Sequence, residues 1–263
     1  MVDIASQTDK RGIYLNDVGI TNLTMPIKVK DRTRKWQHTT GNFNVFVDLP
    51  VDVKGTHMSR LVEMVYNFRK NINHDGLKKM CKELTEKLNA NNATVEVEFP
   101  YFVSTVSPVS KSENLMTYYA KFKGTYGDYP PIYTFRLGVD VDVMTVCPCA
   151  LEECGDGSSH VQRGKVKIKV LPKNGSWIWL EELIEIALSS GSFPVFDRLK
   201  RPDEKFVVQE GFKNAKFVED VCRDASVQLE NRNDIEGYIV EVENNESIHT
   251  HNAFARRSWL WQE

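Results

Sequence analysis

The chain has 263 residues, 41% of them apolar and 27% charged, with 34 Lys and Arg against 36 Asp and Glu and a formal net charge of −2. That balance describes a globular chain with material for one large or two small domains, and it excludes a disordered chain, a membrane chain or a disulfide-stapled miniprotein. No stretch approaches the roughly 18 apolar residues of a membrane-spanning helix, and no long Lys/Arg block offers a sequence-independent grip on nucleic acid.

Residues 1–16 are polar and read as a loose arm without the apolar core of a signal peptide. Residues 20–29 and 42–53 read as strands. From 56 to 70, Met58, Leu61, Val62, Val65 and Tyr66 recur at helical spacing, which predicts a helix with one buried face. Leu77, Met80, Cys81, Leu84 and Leu88 form a second such stripe. The period then switches to two. Val95, Val97 and Phe99 alternate with Glu96 and Glu98, and residues 115–122 supply a further strand.

The second half repeats that order. Residues 132–146 and 165–171 read as strands, 179–189 and 214–231 as helices, and 235–242 and 248–258 as closing strands. Two tandem ββααββ units of α+β class follow, with antiparallel sheets and helices on one face. The expected boundaries are 1–16 for the arm, 17–125 for the first unit and 126–263 for the second.

Five cysteines, an odd number, with Cys147, Cys149 and Cys154 crowded together, point to metal or redox chemistry in a reducing compartment and to a cytoplasmic protein. Cys147-Pro148-Cys149 stands at a strand end, and a Gly/Ser-rich loop leads to His160. A Cys and a His at neighbouring strand edges can share a divalent metal, and an incomplete ligand set leaves a position for water. Two half-buried cysteines near a surface histidine are the alternative. Arg201-Pro202-Asp203-Glu204-Lys205 lies in the connection between two predicted helices, where Glu204 is a candidate ligand or a solvated charge. Glu219 on the last helix either forms a surface pair with Arg223 or anchors a base through N–H donors. His249 and His251, two apart on a predicted strand, share a face suited to proton transfer or metal binding. Lys54-Gly55-Thr56-His57-Met58-Ser59-Arg60, at a strand-to-helix junction, suits phosphate or is an ordinary helix start.

Taken together, the Gly55–Arg60 run, Cys147-Pro148-Cys149, His160 with Gln162-Arg163, Arg201-Pro202-Asp203-Glu204-Lys205, Phe217-Val218-Glu219-Asp220, and Glu246-Ser247-Ile248-His249 with His251 resemble the type IB GTP cyclohydrolase I family, in the family's order. The resemblance implies the tunnelling fold, two ββααββ units per chain, and a homotetramer with active sites at subunit interfaces. It implies Cys147, His160 and Glu204 as ligands of Zn2+ or Mn2+, with Cys147 in the catalytic centre, and Glu219 as the guanine anchor. It places Glu246, His249 and His251 in proton transfer, and Lys54, Arg60 and Arg163 against the triphosphate. The implied reaction is metal-activated water attack at C8 of GTP, then ring opening, formate release and closure to 7,8-dihydroneopterin triphosphate. The chain departs from the family pattern at Ala150-Leu151-Glu152, Cys154 and Ser158-Ser159. A nitrile reductase of the same fold, or a non-catalytic metal-binding relative, are the other readings.

Overall fold

The structure is a computed structural model and describes residues 5, 7–128 and 131–261. Two compact units divide the chain, Met1–Pro100 with Lys121–Arg136, and Tyr101–Ala120 with Leu137–Glu263. Strands β3 (Asn92–Val106), β4 (Glu113–Asp128) and β5 (Pro131–Val146) contribute residues to both.

The first unit contains β1 (Leu15–Asp31), β2 (Lys35–Leu49), α1 (Met58–Phe68), α2 (His74–Leu88), and the unit's shares of β3 and β4, the predicted ββααββ order. β1 and β2 form a long antiparallel hairpin, in unbroken register from Asp31↔Lys35 to Leu23↔Phe43 and shifted beyond Leu23. Its turn is closed by Asp31 Oδ1, which accepts from the N–H of Thr33 (2.8 Å) and of Arg34 (2.5 Å). Alternate residues Ile27, Val29, Phe43, Val45, Val95 and Val97 are buried. Leu61, Met64 and Val65 of α1 and Leu77, Met80 and Leu84 of α2 are buried in the same unit. Asn73 Oδ1 accepts from Gly76 N–H (3.0 Å) at the start of α2, and Asn89 ends it in the left-handed region (φ 52), as helix caps require. Of the N-terminal arm, residues 1–4 and 6 lie outside the described residues. Asp9 N–H donates to Asp52 O, Lys54 N–H to Gln7 O and Gly55 N–H to Ala5 O, each at 3.0 Å.

The second unit holds β5 (from Leu137), α3 (Pro148–Cys154), β6 (Val161–Pro172), α4 (Leu180–Ser190), β7 (Phe193–Pro194), α5 (Arg201–Lys213), α6 (Val218–Glu230), β8 (Ile235–Asn245) and β9 (Ala253–Trp259). Its strands run in the order β5-β6-β8-β9, all antiparallel, with β7 paired to β5. Three expectations are corrected here. The Gly/Ser-rich loop after Cys147 begins as the two-turn helix α3. The connection carrying Glu204 is the first turn of α5. The closing strand starts at Ala253, not at residue 248.

Helices α4, α5 and α6 start by one device. Trp179 N–H donates to Glu182 Oε2 (3.1 Å), Lys200 N–H to Asp203 Oδ2 (2.9 Å) and Phe217 N–H to Asp220 Oδ2 (3.0 Å). In each case an acid three residues in reaches back to the residue before the helix. One sheet face, Val139, Val141 and Val143 on β5, Val166, Ile168 and Val170 on β6, and Val240 and Val242 on β8, is 2% exposed or less. Ile168 is fully buried, so Ile168→Ala should cost about 2–5 kcal/mol, read as a lower urea midpoint at unchanged slope.

The opposite face is charged in columns. Asp140 and Asp142 of β5 lie across from Lys167 and Lys165 of β6, which lie across from Glu241 and Glu243 of β8. Glu241 in turn lies across from Arg256 of β9. Lys165 Nζ sits 3.3 Å from Asp142 Oδ1, and Arg256 Nε 3.6 Å from Glu241 Oε1. Opposite charges paired across strands make that face compatible with solvent.

Candidate active site

The buried face of the second unit turns polar at one end. Along β5 the stripe Val139, Val141, Val143 continues as Thr145 and then Cys147. Along β6, read backwards, Val170, Ile168 and Val166 give way to Gly164, Gln162 and His160. Along β8, Val240 and Val242 give way to Asn244 and Glu246. Register aligns these changes, since Val146 pairs with Val161, Thr145 with Gln162 and Gly164 with Asn244. Strand alternation then carries Cys147, His160 and Glu246 to the same end of three neighbouring strands. A Cβ on Gly164 would stand 2.7 Å from Asn244 Oδ1, so a larger residue there would make the buried Asn244 side chain shift.

Local bonds fix this end. Cys147 N–H donates to His160 O (3.2 Å), and the Ser159 hydroxyl donates to Cys147 O (2.7 Å). Val146 N–H donates to Ser192 Oγ (3.2 Å), while Lys216 N–H donates to Val146 O (3.0 Å). The latter bond ties the start of α6, and so Glu219, to the end of β5.

His160 is largely enclosed, its side chain 14% exposed. Its Nδ1 lies 2.9 Å from Gln162 Oε1 and 3.6 Å from Glu246 Oε2. His249 stands edge-on to it, ring centroids 6.4 Å apart, and stacks on His251 at 5.2 Å and 17°. The expected pairing of His249 with His251 is present, but the expected cause is not. Both lie in the turn between β8 and β9 rather than on a strand face, and Asn252 Nδ2–H donates to Glu243 Oε1 (2.7 Å) across that turn.

Glu204 is exposed on the first turn of α5, and its neighbour Asp203 is fully buried. Asp203 Oδ1 accepts from Val109 N–H (2.9 Å) and Ser110 N–H (2.8 Å), and Oδ2 from the Ser110 hydroxyl (2.6 Å) and Lys200 N–H (2.9 Å). Burial alone would raise this carboxyl's pKa. The hydroxyl and N–H donors of Ser110, with those of Lys200 and Val109, outweigh it and hold Asp203 well below the usual carboxylate range. The β3–β4 turn thereby clamps the helix start that carries Glu204. Asp203→Asn puts N–H against N–H and should lower Tm by on the order of 5 °C near neutral pH. Because the folded pKa is depressed, the stabilisation is full above the unfolded value of about 3.9 and is lost as pH falls toward the folded one. The Tm gap between wild type and variant should therefore narrow below about pH 4.

Glu219 is exposed on the first turn of α6 and borders a groove of about 420 Å³ that Cys222, Arg223, Ser226, Arg256 and Arg257 also line. Arg223 pairs with Asp220 (3.4 Å), not with Glu219 as the surface-pair alternative required. Arg163 projects to the charged sheet face, away from His160, and stands 4.0 Å from Asp142 Oδ2. Lys54 and Arg60 belong to the first unit. Lys54 is exposed, and the Arg60 guanidinium donates to Lys87 O (3.1 Å).

Among the described residues no three His, Cys, Asp or Glu side chains are gathered closely enough to hold a metal ion. The structure thus brings Cys147 to His160, and His160 to Glu246 and the histidine pair, without gathering Glu204 into one ligand set with Cys147 and His160. What is present fits a cation in kind: a free thiol on Cys147, a residue bonded through its backbone to His160, and an imidazole there whose Nδ1 is engaged, so that Nε2 remains for a ligand bond. Two other cysteines are removed from such chemistry. Burial pushes the Cys81 thiol up to about 12 and also raises that of Cys222. Sequence reasoning passed over Gln162 and Asp203 as functional groups. The signals were there, Gln162 two residues from His160 on one strand face and Asp203 three residues after a helix-preceding lysine.

A family model described as Type I GTP cyclohydrolase folE2 matches residues 1–255. The GTP cyclohydrolase FolE2 of Pseudothermotoga lettingae is 44% identical over 255 residues, spanning 97% of this chain and 97% of that protein. That of Geobacter sulfurreducens is 41% identical over 255 residues, 97% and 96% of the two chains. Among solved structures, uricase from Arthrobacter globiformis superposes with a TM-score of 0.55 at 7% identity, covering 92% of each chain. A hyperthermostable mutant of Bacillus sp. TB-90 urate oxidase gives 0.57 at 11%, covering 95% of this chain and 99% of that one. At such identities the likeness concerns the fold alone, the α+β tunnelling fold.

Proposed function

The chain belongs to the type I GTP cyclohydrolase folE2 family, and from that membership we propose that it converts GTP and water to 7,8-dihydroneopterin triphosphate and formate, the entry to pterin and folate synthesis. The observation that supports this reading best is the meeting of Cys147, His160 and Glu246 at the ends of three adjacent strands. Cys147 and His160, with Glu204, would hold a divalent cation, Zn2+ or Mn2+. Such a cation supplies a Lewis acid that lets water ionise near neutral pH.

The chain's own groups carry the remaining work. Glu219 accepts two hydrogen bonds from guanine, one from N1–H and one from the 2-amino group, a bidentate match that few other bases offer. When the C8–N9 bond breaks, a proton must reach N9, and loss of formate requires another at N7. The His249–His251 stack and Glu246, grouped around His160, are placed to deliver them, since imidazole gains and loses protons near neutrality. Lys54, Arg60 and Arg163 are the cations we assign to the triphosphate. Arg163 points away from His160, so this assignment goes with a homotetramer whose sites lie at subunit interfaces.

We place the enzyme in the cytoplasm. Among the described residues no helix is long and apolar enough to cross a membrane. Incubating metal-stripped protein with GTP and then adding manganese or zinc tests the reading. Formate release together with pterin fluorescence after oxidation is the expected result. A folded protein that turns over no GTP with any divalent metal would overturn it.

A further inference from the structure

We infer that Gln162 is a positioning residue whose side-chain oxygen accepts the Nδ1 proton of His160, turning the Nε2 lone pair toward the cation site and leaving the Glu246 carboxylate unengaged. The inference rests on the reading of His160 as a metal ligand.

Two acceptors compete for Nδ1. Gln162 Oε1, at 2.9 Å, is within hydrogen-bonding range, and Glu246 Oε2, at 3.6 Å, is beyond it. A carboxamide oxygen can only accept, so the nitrogen facing it must carry the proton, and in a neutral imidazole the other nitrogen then has the free lone pair. Gln162 is 7% exposed, so water competes little for the bond. The main chain that carries the ring is held as well, since His160 O accepts from Cys147 N–H (3.2 Å).

The choice of an amide over a carboxylate has a chemical reason. A carboxylate that both oriented the ring and moved protons would lose its grip whenever it was protonated. Gln162 keeps the same hydrogen-bonding character through the whole reaction. Glu246, close by but outside hydrogen-bond distance, is thereby spared for proton transfer.

The test uses the full-length protein. Imidazole nitrogen–proton correlation spectra of metal-free wild type should show His160 as the Nδ1–H tautomer. In Gln162→Leu, which keeps the volume and removes the acceptor, that tautomer should be lost. Binding of Mn2+ or Zn2+, measured by competition with a chromogenic chelator, should weaken about 10–100-fold. Gln162→Glu, which restores an acceptor, should recover both the tautomer and the affinity. An Nε2–H tautomer in wild type, or unchanged tautomer and metal affinity in Gln162→Leu, overturns the inference. Cys147→Ala in the same titration separates the two levels. If it binds metal as wild type does, the metal site itself has been misread. If Cys147→Ala loses metal while Gln162→Leu does not, only the role of Gln162 fails.

Discussion

Cys147→Ala should reduce formate release from GTP by on the order of 10³-fold or more, equivalent to about 4 kcal/mol of transition-state stabilisation. Cys147 is where β5 hands over to α3, and it has neighbours that an alanine would not disturb. Its N–H still donates to His160 O, and its carbonyl still accepts from the Ser159 hydroxyl and from Leu151 N–H. The thiol itself is only partly buried, so its loss opens no core cavity. The variant should therefore melt close to wild type while losing metal, as deletion of one donor from a sparse set demands. Retained turnover alongside undiminished metal binding would remove Cys147 from the catalytic centre.

Glu219→Gln should lower kcat/KM for GTP by about 10³–10⁴-fold, because a site built around two hydrogen bonds to a base meets one matched and one opposed group once half of the carboxylate becomes NH2. The side chain is exposed at the head of α6, where the capping acid is Asp220 rather than Glu219, so stability should change little. A circular dichroism melt run beside steady-state kinetics would separate the two effects. Wild-type kinetics with GTP in this variant would show that the base is held elsewhere.

Much of the fold could be read from periodicity, because most elements bury one apolar stripe. The stripe Leu77, Met80, Cys81, Leu84 marks α2, and Val166, Ile168, Val170 marks β6. α5 escaped for a physical reason. Its buried positions are Asp203, Val207 and Gly211, correctly spaced for a helix but with one apolar side chain among them. α3 buries nothing and has only seven residues, so no pattern could announce it. Ile248 misled in the other direction, since this isoleucine is 65% exposed in a turn and was read as the start of a strand. The site was legible as a set of residue types in a familiar order, from Cys147 to His251. What joins them, the Gln162 bond to His160 and the clamp on Asp203, depends on cross-strand register and long-range turns, to which one-dimensional spacing is blind.

The charged columns of β5, β6, β8 and β9 constrain how this chain can change over time. Two lysines of the β6 column have acids on both flanks, Lys165 between Asp142 and Glu243, and Lys167 between Asp140 and Glu241. Reversing one of these charges creates two like-charge contacts at once, and only coordinated changes on both neighbouring strands would relieve them. Arg256, on the outermost strand of that order, lies across from Glu241 on its single neighbouring strand. Substitutions in the middle of the face are thus more strongly interdependent than those on β9, which has a strand on one side only in that order. Sequence drift should enter this sheet from β9 inward.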